Sequence, residues 1–555
     1  MSKAYGILSA LVALAFTQLS IHCTGFVSGT PIVSRADSGG ADVVDTGYAR
    51  YLGNRSFPNT VAYLGLPYAE PPLGERRFRA PIALNTTRVQ SEANGEVVDA
   101  TRYPDFCVQG PIGGTDMGGA GSEDCLKINV YAPVGANRSS NLPVLVYIHG
   151  GGYVFGNPAN WPFDHWIHQS PNVVVASVYY RLDSFGFLSH PDFFDGDLAD
   201  NNVGFLDQVE ALKWVKRNIA AFGGNPEKVT INGQSAGGGS VLFHIVAKEE
   251  PGLFSGAIAQ SVARSATPQA DQKKPLFELY SDAAGCGTGS LADRMACLRN
   301  ASISTLARAQ EMARTFNISY HGFGPIVDEK VITEHPTRSI IKGDYANVPL
   351  IVGATSNETG GGGTDLGAAL KASYPLLNDQ DIAEFEEVYS LSDFMSQADR
   401  VGTATGESGL RCARESLGSL FLRNNKAWTY RYNQPNPTQS GTAVQHAAEN
   451  WMMFLGINTG TNGTGQFTPM TDVENAFASE LIAYWLSFVR SGDPNTFKLN
   501  RSPMWVDYTG EEQRIVLQQD PQNSTTTSGI FMEAEPAKER DRCAFVQSKS
   551  DKEQN

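Results

Sequence analysis

Short runs of apolar residues recur along the chain, and each predicts a buried strand. The segment Leu142–Ile148 consists almost entirely of apolar residues, and a second run covers residues 173–178. Further runs occur at residues 349–353 and at Ala427–Tyr432. Because apolar residues occupy successive positions rather than every second one, these strands are expected to be covered on both faces.

Between the second of these runs and residue 230, the spacing of apolar residues changes to three or four. That spacing holds for Leu206, Val209, Leu212, Val215, Ile219 and Phe222. It predicts an amphipathic helix, and strands that alternate with helices predict an α/β domain with a mostly parallel central sheet. No linker or internal repeat divides the chain, so we predict a single domain over residues 30–555.

The N-terminal segment has a different pattern. Lys3 precedes an apolar run from Tyr5 to Leu19, which is short for a bilayer span, and small and polar residues follow. We predict a signal peptide over residues 1–29, cleaved between Thr17 and Gly29, and an extracellular protein; an uncleaved anchor is the alternative. No later segment is apolar for long enough to serve as a stable membrane anchor.

Composition narrows the possible partners. Of the 555 residues 41% are hydrophobic and 18% charged, with a net charge of −15, which argues against nucleic acid or an anionic membrane as partner. Beyond Cys23 the chain has six cysteines, an even number that predicts disulfides in a secreted protein. Fifteen pairings are possible; pairing neighbours along the chain would join Cys107 to Cys125, Cys286 to Cys297 and Cys412 to Cys543.

The first candidate for a catalytic motif is the pentapeptide Gly-Gln-Ser-Ala-Gly at residues 233–237. It follows the strand-like segment 228–232 and precedes a small-residue run that leads into apolar residues. In a Gly-x-Ser-x-Gly elbow the serine lies on a tight strand-to-helix turn, because glycines on either side avoid steric clashes. Ser235 is therefore the predicted nucleophile.

A serine hydroxyl needs a base to take its proton, and in the elbow fold the partners follow in the order serine, acid, histidine. Four histidines follow Ser235 in the sequence, at 244, 321, 335 and 446. The first lies too close behind the elbow, and the next two leave no convincing acid between them and the serine. His446 follows the strand Ala427–Tyr432, which allows Glu358, in the loop after the 349–353 strand, to be the acid.

The oxyanion of a tetrahedral intermediate needs N–H donors, and glycines after a strand supply them without side chains that block the substrate. The run His-Gly-Gly-Gly-Tyr occupies residues 149–153, at the end of the strand Leu142–Ile148. We predict an oxyanion hole from the N–H groups of Gly151, Gly152 and Ala236.

With these residues in place, the chain resembles the type-B carboxylesterase family of cholinesterase-like α/β-hydrolases, particularly secreted fungal carboxylesterases and feruloyl esterases. The resemblance runs from about residue 45 to 545. Its motifs include Leu-Pro-Tyr-Ala-Glu-Pro-Pro (66–72), Ser-Glu-Asp-Cys-Leu (122–126), Tyr-Arg-Leu (180–182), Asn-Val-Gly-Phe-Leu-Asp-Gln (202–208), Phe-Gly-Gly-Asn-Pro (222–226) and Gly-Pro-Ile-Val-Asp (324–328).

The resemblance implies the α/β-hydrolase fold and the triad Ser235, Glu358 and His446. It also implies two buried ion pairs, Arg77 with Glu123 and Arg181 with Asp207. Ser261 and Glu449 match a supporting pair that steadies the histidine in the family. No cofactor and no metal are expected.

Departures from the family pattern bear on the substrate. The segment 108–124 contains no aromatic residue, whereas cholinesterases carry a tryptophan there and lipases a longer apolar lid. Gln234 replaces the glutamate often found before the serine, which removes a negative charge useful for a cation. We therefore expect a secreted serine esterase for small or aromatic esters, hydroxycinnamoyl (feruloyl) esters first. A sterol esterase or lipase is the alternative, and an inactive adhesion-type homologue a more distant one.

Acceptor sites for N-glycosylation complete the sequence-based predictions. They lie at Asn54, Asn85, Asn137, Asn300, Asn317, Asn462, Asn500 and Asn523, so we expect a glycosylated surface. A ninth sequon, at Asn357, is expected to stay unmodified because the adjacent Glu358 must face the active site. The sequence does not indicate an oligomeric state.

Overall fold

A computed structural model of the protein describes residues 42–110, 121–194, 196–316, 318–421, 426–459, 465–508 and 513–555. The predicted signal peptide, Asn317 and Asn462 lie outside these ranges. So does most of the segment between Cys107 and Cys125, on which the argument against cholinesterases and lipases partly depends.

The described residues form the following strands: β1 (Val43–Asp45), β2 (Arg50–Phe57), β3 (Thr60–Pro67), β4 (Val97–Ala100), β5 (Lys127–Pro133), β6 (Leu142–Ile148), β7 (Val174–Val178), β8 (Gly224–Gln234), β9 (Gly256–Gln260), β10 (Leu350–Thr355), β11 (Ala427–Tyr432), β12 (Ile457–Thr459), β13 (Gly465–Phe467), β14 (Gln513–Leu517) and β15 (Phe531–Ala534).

The α-helices of the same residues are α1 (Thr86–Ala93), α2 (Asp164–Gln169), α3 (Asp183–Phe187), α4 (Val203–Asn218), α5 (Ala236–Val246), α6 (Lys274–Ala283), α7 (Leu291–Asn300), α8 (Ile303–Thr315), α9 (Pro336–Lys342), α10 (Leu366–Ser373), α11 (Asp379–Val388), α12 (Gln397–Gly406), α13 (Cys412–Phe421), α14 (Ala448–Met453), α15 (Asp472–Ser491), α16 (Ala537–Ser548) and α17 (Ser550–Glu553).

The central sheet is mostly parallel, as predicted. Its strand order is β1-β2-β3-β5-β7-β6-β8-β9-β10-β11-β14-β15, with β4 paired to β2. From β7 to β14 each neighbouring pair in this order is parallel. The carboxyl ends of β6, β8, β9, β10 and β11 therefore meet at one edge of the sheet, where ligands bind in open α/β sheets.

The four strands predicted from apolar runs are present with small changes of boundary. β6 and β11 have the predicted limits, β7 begins one residue later, and β10 is shifted to 350–355. The predicted helix over 206–222 begins earlier, as α4 at Val203, and its last turn (Ile219–Phe222) is a 3-10 helix.

Alternate residues of the central strands pack into different halves of the core. In β6, Val144 and Val146 belong to one buried cluster, with α4 and α5, whereas Leu145 and Tyr147 belong to another, with α2, α14 and α15. A sheet covered by helices on both faces explains why these strands are apolar at successive positions.

The six cysteines pair with their neighbours along the chain, as Cys107–Cys125, Cys286–Cys297 and Cys412–Cys543. The third disulfide joins α13 to α16, 131 residues apart in sequence, inside a separate cluster formed largely by α10 to α13 and α16. No helix in the described ranges is long and apolar enough to cross a membrane.

Candidate active site

Ser235 lies on the turn between β8 and α5, where the elbow motif predicted it. Its backbone has φ 60° and ψ −123°, a combination that L-residues seldom adopt. A Cβ at Gly237 would lie 2.1 Å from the carbonyl oxygen of Ile148, and one at Gly233 would lie 2.3 Å from that of Gly237. The two glycines are therefore needed for the close approach of α5 to β6.

The structure brings Ser235, His446 and Glu358 into one hydrogen-bonded chain. The hydroxyl of Ser235 is 2.7 Å from Nε2 of His446, and Nδ1 of His446 is 2.7 Å from Oε2 of Glu358. Since a carboxylate can only accept, Nδ1–H donates to Glu358, which leaves Nε2 to accept the serine proton. This is the arrangement that turns a serine hydroxyl into a nucleophile.

Burial and charge set the protonation states of the chain. Burial lowers the pKa of His446, but the charge of Glu358 and the hydrogen bond to it outweigh this and raise the pKa above its usual value. Burial likewise raises the pKa of Glu358, but His446, Ser261 and the N–H of Thr355 reverse the effect and lower it. Glu358 is thus held as a carboxylate beside a strengthened base.

The predicted oxyanion donors face the same edge of the sheet. Gly151 and Gly152 have φ values of 108° and 63°, and a Cβ on Gly151 would lie 2.0 Å from the carbonyl oxygen of Phe155. Ala236 is the first residue of α5, where a backbone N–H has no partner within the helix. Among the described residues no acceptor is found for the N–H groups of these three.

The side chains of Gln109 and His149 support the turn that follows β6, residues 149–156, which we call the glycine turn. Both amide atoms of the Gln109 side chain bond to the backbone of Gly156, at 2.9 Å each. The ring of His149 stacks on Trp161 and Tyr180, and Nδ1 lies 2.8 Å from the carbonyl oxygen of Gly150. Burial lowers the pKa of His149 to about 4, so this side chain is uncharged at neutral pH and supports the turn by packing.

Ser261 and Glu449, predicted to steady the histidine, make no hydrogen bond to His446 among the described residues. The Ser261 hydroxyl donates to Oε1 of Glu358 at 2.5 Å, so it orients the acid. Glu449 is buried beside this group, and neither of its side-chain oxygens has a partner among the described residues. Burial, and then the charge of Glu358, raise the pKa of Glu449 to about 7.

The two predicted ion pairs are present and buried. Arg77 binds Glu123 through two bonds of 2.6 Å, and Arg181 binds Asp207 through bonds of 2.8 and 2.7 Å. Arg77 also donates to three carbonyl oxygens at the end of α7, at residues 298, 299 and 301. Arg77 therefore has both the bidentate geometry and the extra acceptors that satisfy a buried guanidinium.

A cavity of about 270 Å³ adjoins the glycine turn, and the sequence did not predict its walls. Its lining includes Gly152, Phe243 and Phe323, together with Lys273, which is only 5% exposed. Lys273 lies in an ordinary Gln-Lys-Lys-Pro stretch before α6, so no sequence pattern distinguishes it. In the described ranges, no cluster of three or more His, Cys, Asp or Glu residues could hold a metal.

The sheet, the serine turn and the site at the strand ends define the class of protein as an α/β-hydrolase. The carboxylesterase family model matches residues 41–538. The chain therefore belongs to the carboxylesterase family, and its activity is that of a carboxylic ester hydrolase acting on small-molecule esters.

Individual relatives agree with this assignment. The chain is 29% identical over 506 residues to the para-nitrobenzyl esterase of Bacillus subtilis, which covers 87% of this chain and 97% of the relative. It is also 29% identical over 505 residues to the human cocaine esterase, covering 83% and 84%. The crystal structure of Aspergillus niger EstA superposes with a TM-score of 0.81 at 29% identity, covering 93% of this chain and 99% of that one.

Proposed function

We propose that the protein is a secreted serine esterase that works through an acyl-enzyme, with Ser235 as nucleophile, His446 as base and Glu358 as the acid that orients it. The observation that carries this proposal is the hydrogen-bonded chain from the Ser235 hydroxyl through His446 to Glu358. The raised pKa of His446 adds to its strength as a base.

The proposed reaction has two halves. The oxygen of Ser235 attacks the ester carbonyl while its proton passes to Nε2 of His446, and the tetrahedral oxyanion accepts bonds from the N–H groups of Gly151, Gly152 and Ala236. Collapse breaks the bond to the alcohol oxygen, which takes the proton from His446. Water then attacks the acyl carbon and gives a proton to Nε2 of His446. The bond from this carbon to the Ser235 oxygen breaks, that oxygen takes the proton back from His446, and the carboxylic acid leaves.

We propose small or aromatic esters as substrates, with hydroxycinnamoyl esters first. The cavity of about 270 Å³ is near the lower end of ligand-pocket volumes, which favours a compact acyl group over a sterol ester. Gln234 is neutral and hydrogen-bonded to Asn450, so this position offers a cationic alcohol no charge. The name of one relative, the para-nitrobenzyl esterase, refers to an ester with an aromatic alcohol group.

Substitution of the serine tests the mechanism. Ser235→Ala should fold normally and lose at least about 10⁴-fold in kcat/KM for p-nitrophenyl butyrate, because no other group can form the acyl-enzyme. Mass spectrometry after treatment with a phosphonate ester should show one adduct in the wild type and none in the variant. Retained turnover, or labelling in the variant, would refute the serine mechanism.

A substrate panel tests the specificity. We expect kcat/KM for methyl ferulate and p-nitrophenyl butyrate to exceed that for a cholesteryl ester. The reverse order, or a rate that rises sharply above the solubility limit of the substrate, would favour the sterol esterase or lipase.

We further propose that the chain is exported with removal of residues 1–29 and carries N-glycans. Three disulfides and the exposure of Asn54, Asn85 and Asn137 support this proposal. Asn300, Asn500 and Asn523 are exposed as well. Asn357 is also exposed, but we propose that it stays unmodified because the adjacent Glu358 binds His446 in the proposed site. N-terminal sequencing and glycopeptide mapping of protein recovered from the medium would test all of these assignments.

A further inference from the structure

The wall of the cavity beside Gly152 contains a buried lysine, Lys273, that has no counter-charge among the described residues. Lys273 is 5% exposed, and no carboxylate of the described residues lies within ion-pair distance of it. Its Nζ donates to the carbonyl oxygen of Tyr320 at 3.1 Å and to that of Gly322. An ammonium group has three N–H bonds, so one donor remains without an acceptor in the described structure.

Burial without a charged partner is unusual for lysine. Desolvation lowers the pKa of Lys273 to about 7, with no nearby charge acting against it. A ligand oxygen that accepts a hydrogen bond would compensate part of this desolvation, and an anionic oxygen would favour the protonated amine.

The rest of the cavity also suits an acceptor. No aspartate or glutamate lines it; the lining residues that can ionise, besides Lys273, are Tyr153, Tyr320 and His321. Lys273 is held by its bonds to the carbonyl oxygens of Tyr320 and Gly322. Tyr320 is held in turn by its hydroxyl, which is bonded to Gln272, at 3.1 Å, and to Gln554. A donor that is already held in place loses little entropy when it binds a ligand.

The position of the cavity identifies which half of the ester enters it. During catalysis the alcohol oxygen must lie next to His446, which protonates it. The cavity is lined by Gly152 of the predicted oxyanion hole and by Ala263, whose N–H donates to the carbonyl oxygen of Ser235. Neither His446 nor any residue of the loop around it lines the cavity. This placement favours the acyl half of the ester as its occupant.

On the basis of the esterase function proposed above, we propose that the acyl group carries an acceptor oxygen at its far end, which binds Nζ of Lys273. Two kinds of acyl group share this chemistry. One ends in a carboxylate, as in half-esters of short dicarboxylic acids, and the other in a phenolic oxygen, as in hydroxycinnamoyl esters.

Two pairs of matched esters distinguish an acyl group that ends in a carboxylate from one that ends in a phenolic oxygen. Monoethyl glutarate is compared with ethyl isoheptanoate, in which an isopropyl end replaces the carboxylate. Methyl para-coumarate is compared with methyl para-methylcinnamate, in which a methyl group replaces the phenolic hydroxyl. For at least one pair, wild-type kcat/KM should be at least about tenfold higher for the ester with the oxygen, and the pair that shows it identifies the source.

The dependence on the lysine is tested with Lys273→Met, which removes the donor but keeps the length of the side chain. The ratio of kcat/KM within the responding pair should fall at least about tenfold in this variant and be largely restored in Lys273→Arg. Lys274→Met is the matched control, because Lys274 is the next residue and is exposed, and it should leave both ratios unchanged.

The outcomes distinguish this inference from the esterase function itself. Hydrolysis of all four esters with no preference in the wild type, or with equal ratios in wild type and Lys273→Met, would overturn the role of Lys273 and leave the esterase intact. Failure of the wild type to hydrolyse any of them or p-nitrophenyl butyrate would overturn both. If Lys273→Met does not fold, a wild-type preference for the isopropyl and methyl ends refutes the inference by itself.

Discussion

Single residues determine the protonation states of the active site. His446 is bound to one carboxylate, Glu358, and lies near a second, Glu449, and both charges raise its pKa. Glu449 is 1% exposed, and it acts on His446 through its charge. Because burial raises the pKa of Glu449 to about 7, that charge itself changes within the working pH range.

The pH profile should reveal the raised pKa of His446. The base must be neutral, so kcat/KM should fall as the pH drops, with an apparent pKa above the ordinary value of about 6.5. Measurement of kcat/KM for p-nitrophenyl butyrate between pH 4 and 9 would show this decrease on the acidic side of the profile. A profile that stays flat from pH 4 to 8 would contradict the role of His446.

Glu449→Gln should move the same profile. Without the Glu449 charge, the pKa of His446 falls, and the decrease of kcat/KM on the acidic side shifts toward lower pH. The folded state holds the Glu449 proton more tightly than the unfolded chain does. As the pH rises from the carboxyl pKa of the unfolded chain to about 7, the wild type should therefore lose free energy of unfolding, and the Glu449→Gln variant should not show this decrease. Glu387→Gln, at an exposed position, serves as the control for both measurements.

At the level of elements, the active site is assembled by loops that follow parallel strands. β6 is followed by the glycine turn, β8 by Ser235, β9 by Ser261 and β10 by Glu358. These loops are tied to one another and to a more distant segment. The clearest such contact is made by Gln109, which lies in the segment between Cys107 and Cys125. Its side chain donates to the carbonyl oxygen of Gly156 and accepts from the N–H of Gly156.

Gln109→Leu should therefore affect catalysis through the glycine turn. The buried N–H and carbonyl groups of Gly156 lose their partners, which should destabilise the fold by about 1–3 kcal/mol. Because the proposed oxyanion donors would act on the transition state, kcat should fall more than KM changes. Thermal unfolding and steady-state kinetics would measure both effects. Gln90→Leu, on the exposed face of α1, should change neither; equal kinetics in the two variants would exclude the proposed support.

The whole molecule is held together by contacts between distant parts of the chain. The Cys412–Cys543 disulfide closes a loop of 131 residues, whereas Cys286–Cys297 closes one of 11. Both pairs lie outside the active site, so their removal tests stability separately from chemistry. In the chain-entropy description, a longer loop restricts the unfolded state more strongly.

Removing Cys412 and Cys543 together, by substitution with alanine, should destabilise the protein by about 5 kcal/mol, against about 3 kcal/mol for the Cys286 and Cys297 pair. Denaturant unfolding of the two double variants in oxidising buffer would give the difference. Equal or reversed losses would indicate that the C-terminal helix α16 is secured by packing in its cluster rather than by the covalent bond.

The sequence by itself determined the features that depend on local pattern or on a motif. Apolar runs located β6, β7, β10 and β11, and the spacing of three and four located α4. The Gly-x-Ser-x-Gly motif placed Ser235 on its turn, since a strained backbone there requires glycine at 233 and 237. Chain order selected His446 and Glu358, because the fold fixes the order in which the partners follow the serine.

Only the tertiary structure decided the features that arise where distant segments meet. Lys273 and Tyr320 are 47 residues apart, and no periodicity links them, yet they share one wall of the cavity. The same holds for Gln109 and Gly156, and for the pairing of Cys412 with Cys543. Ser261 bonds to the acid rather than to the histidine, because the end of β9 lies beside that of β10. Local patterns specify an element and its buried faces, whereas packing determines which side chains from different elements come into contact.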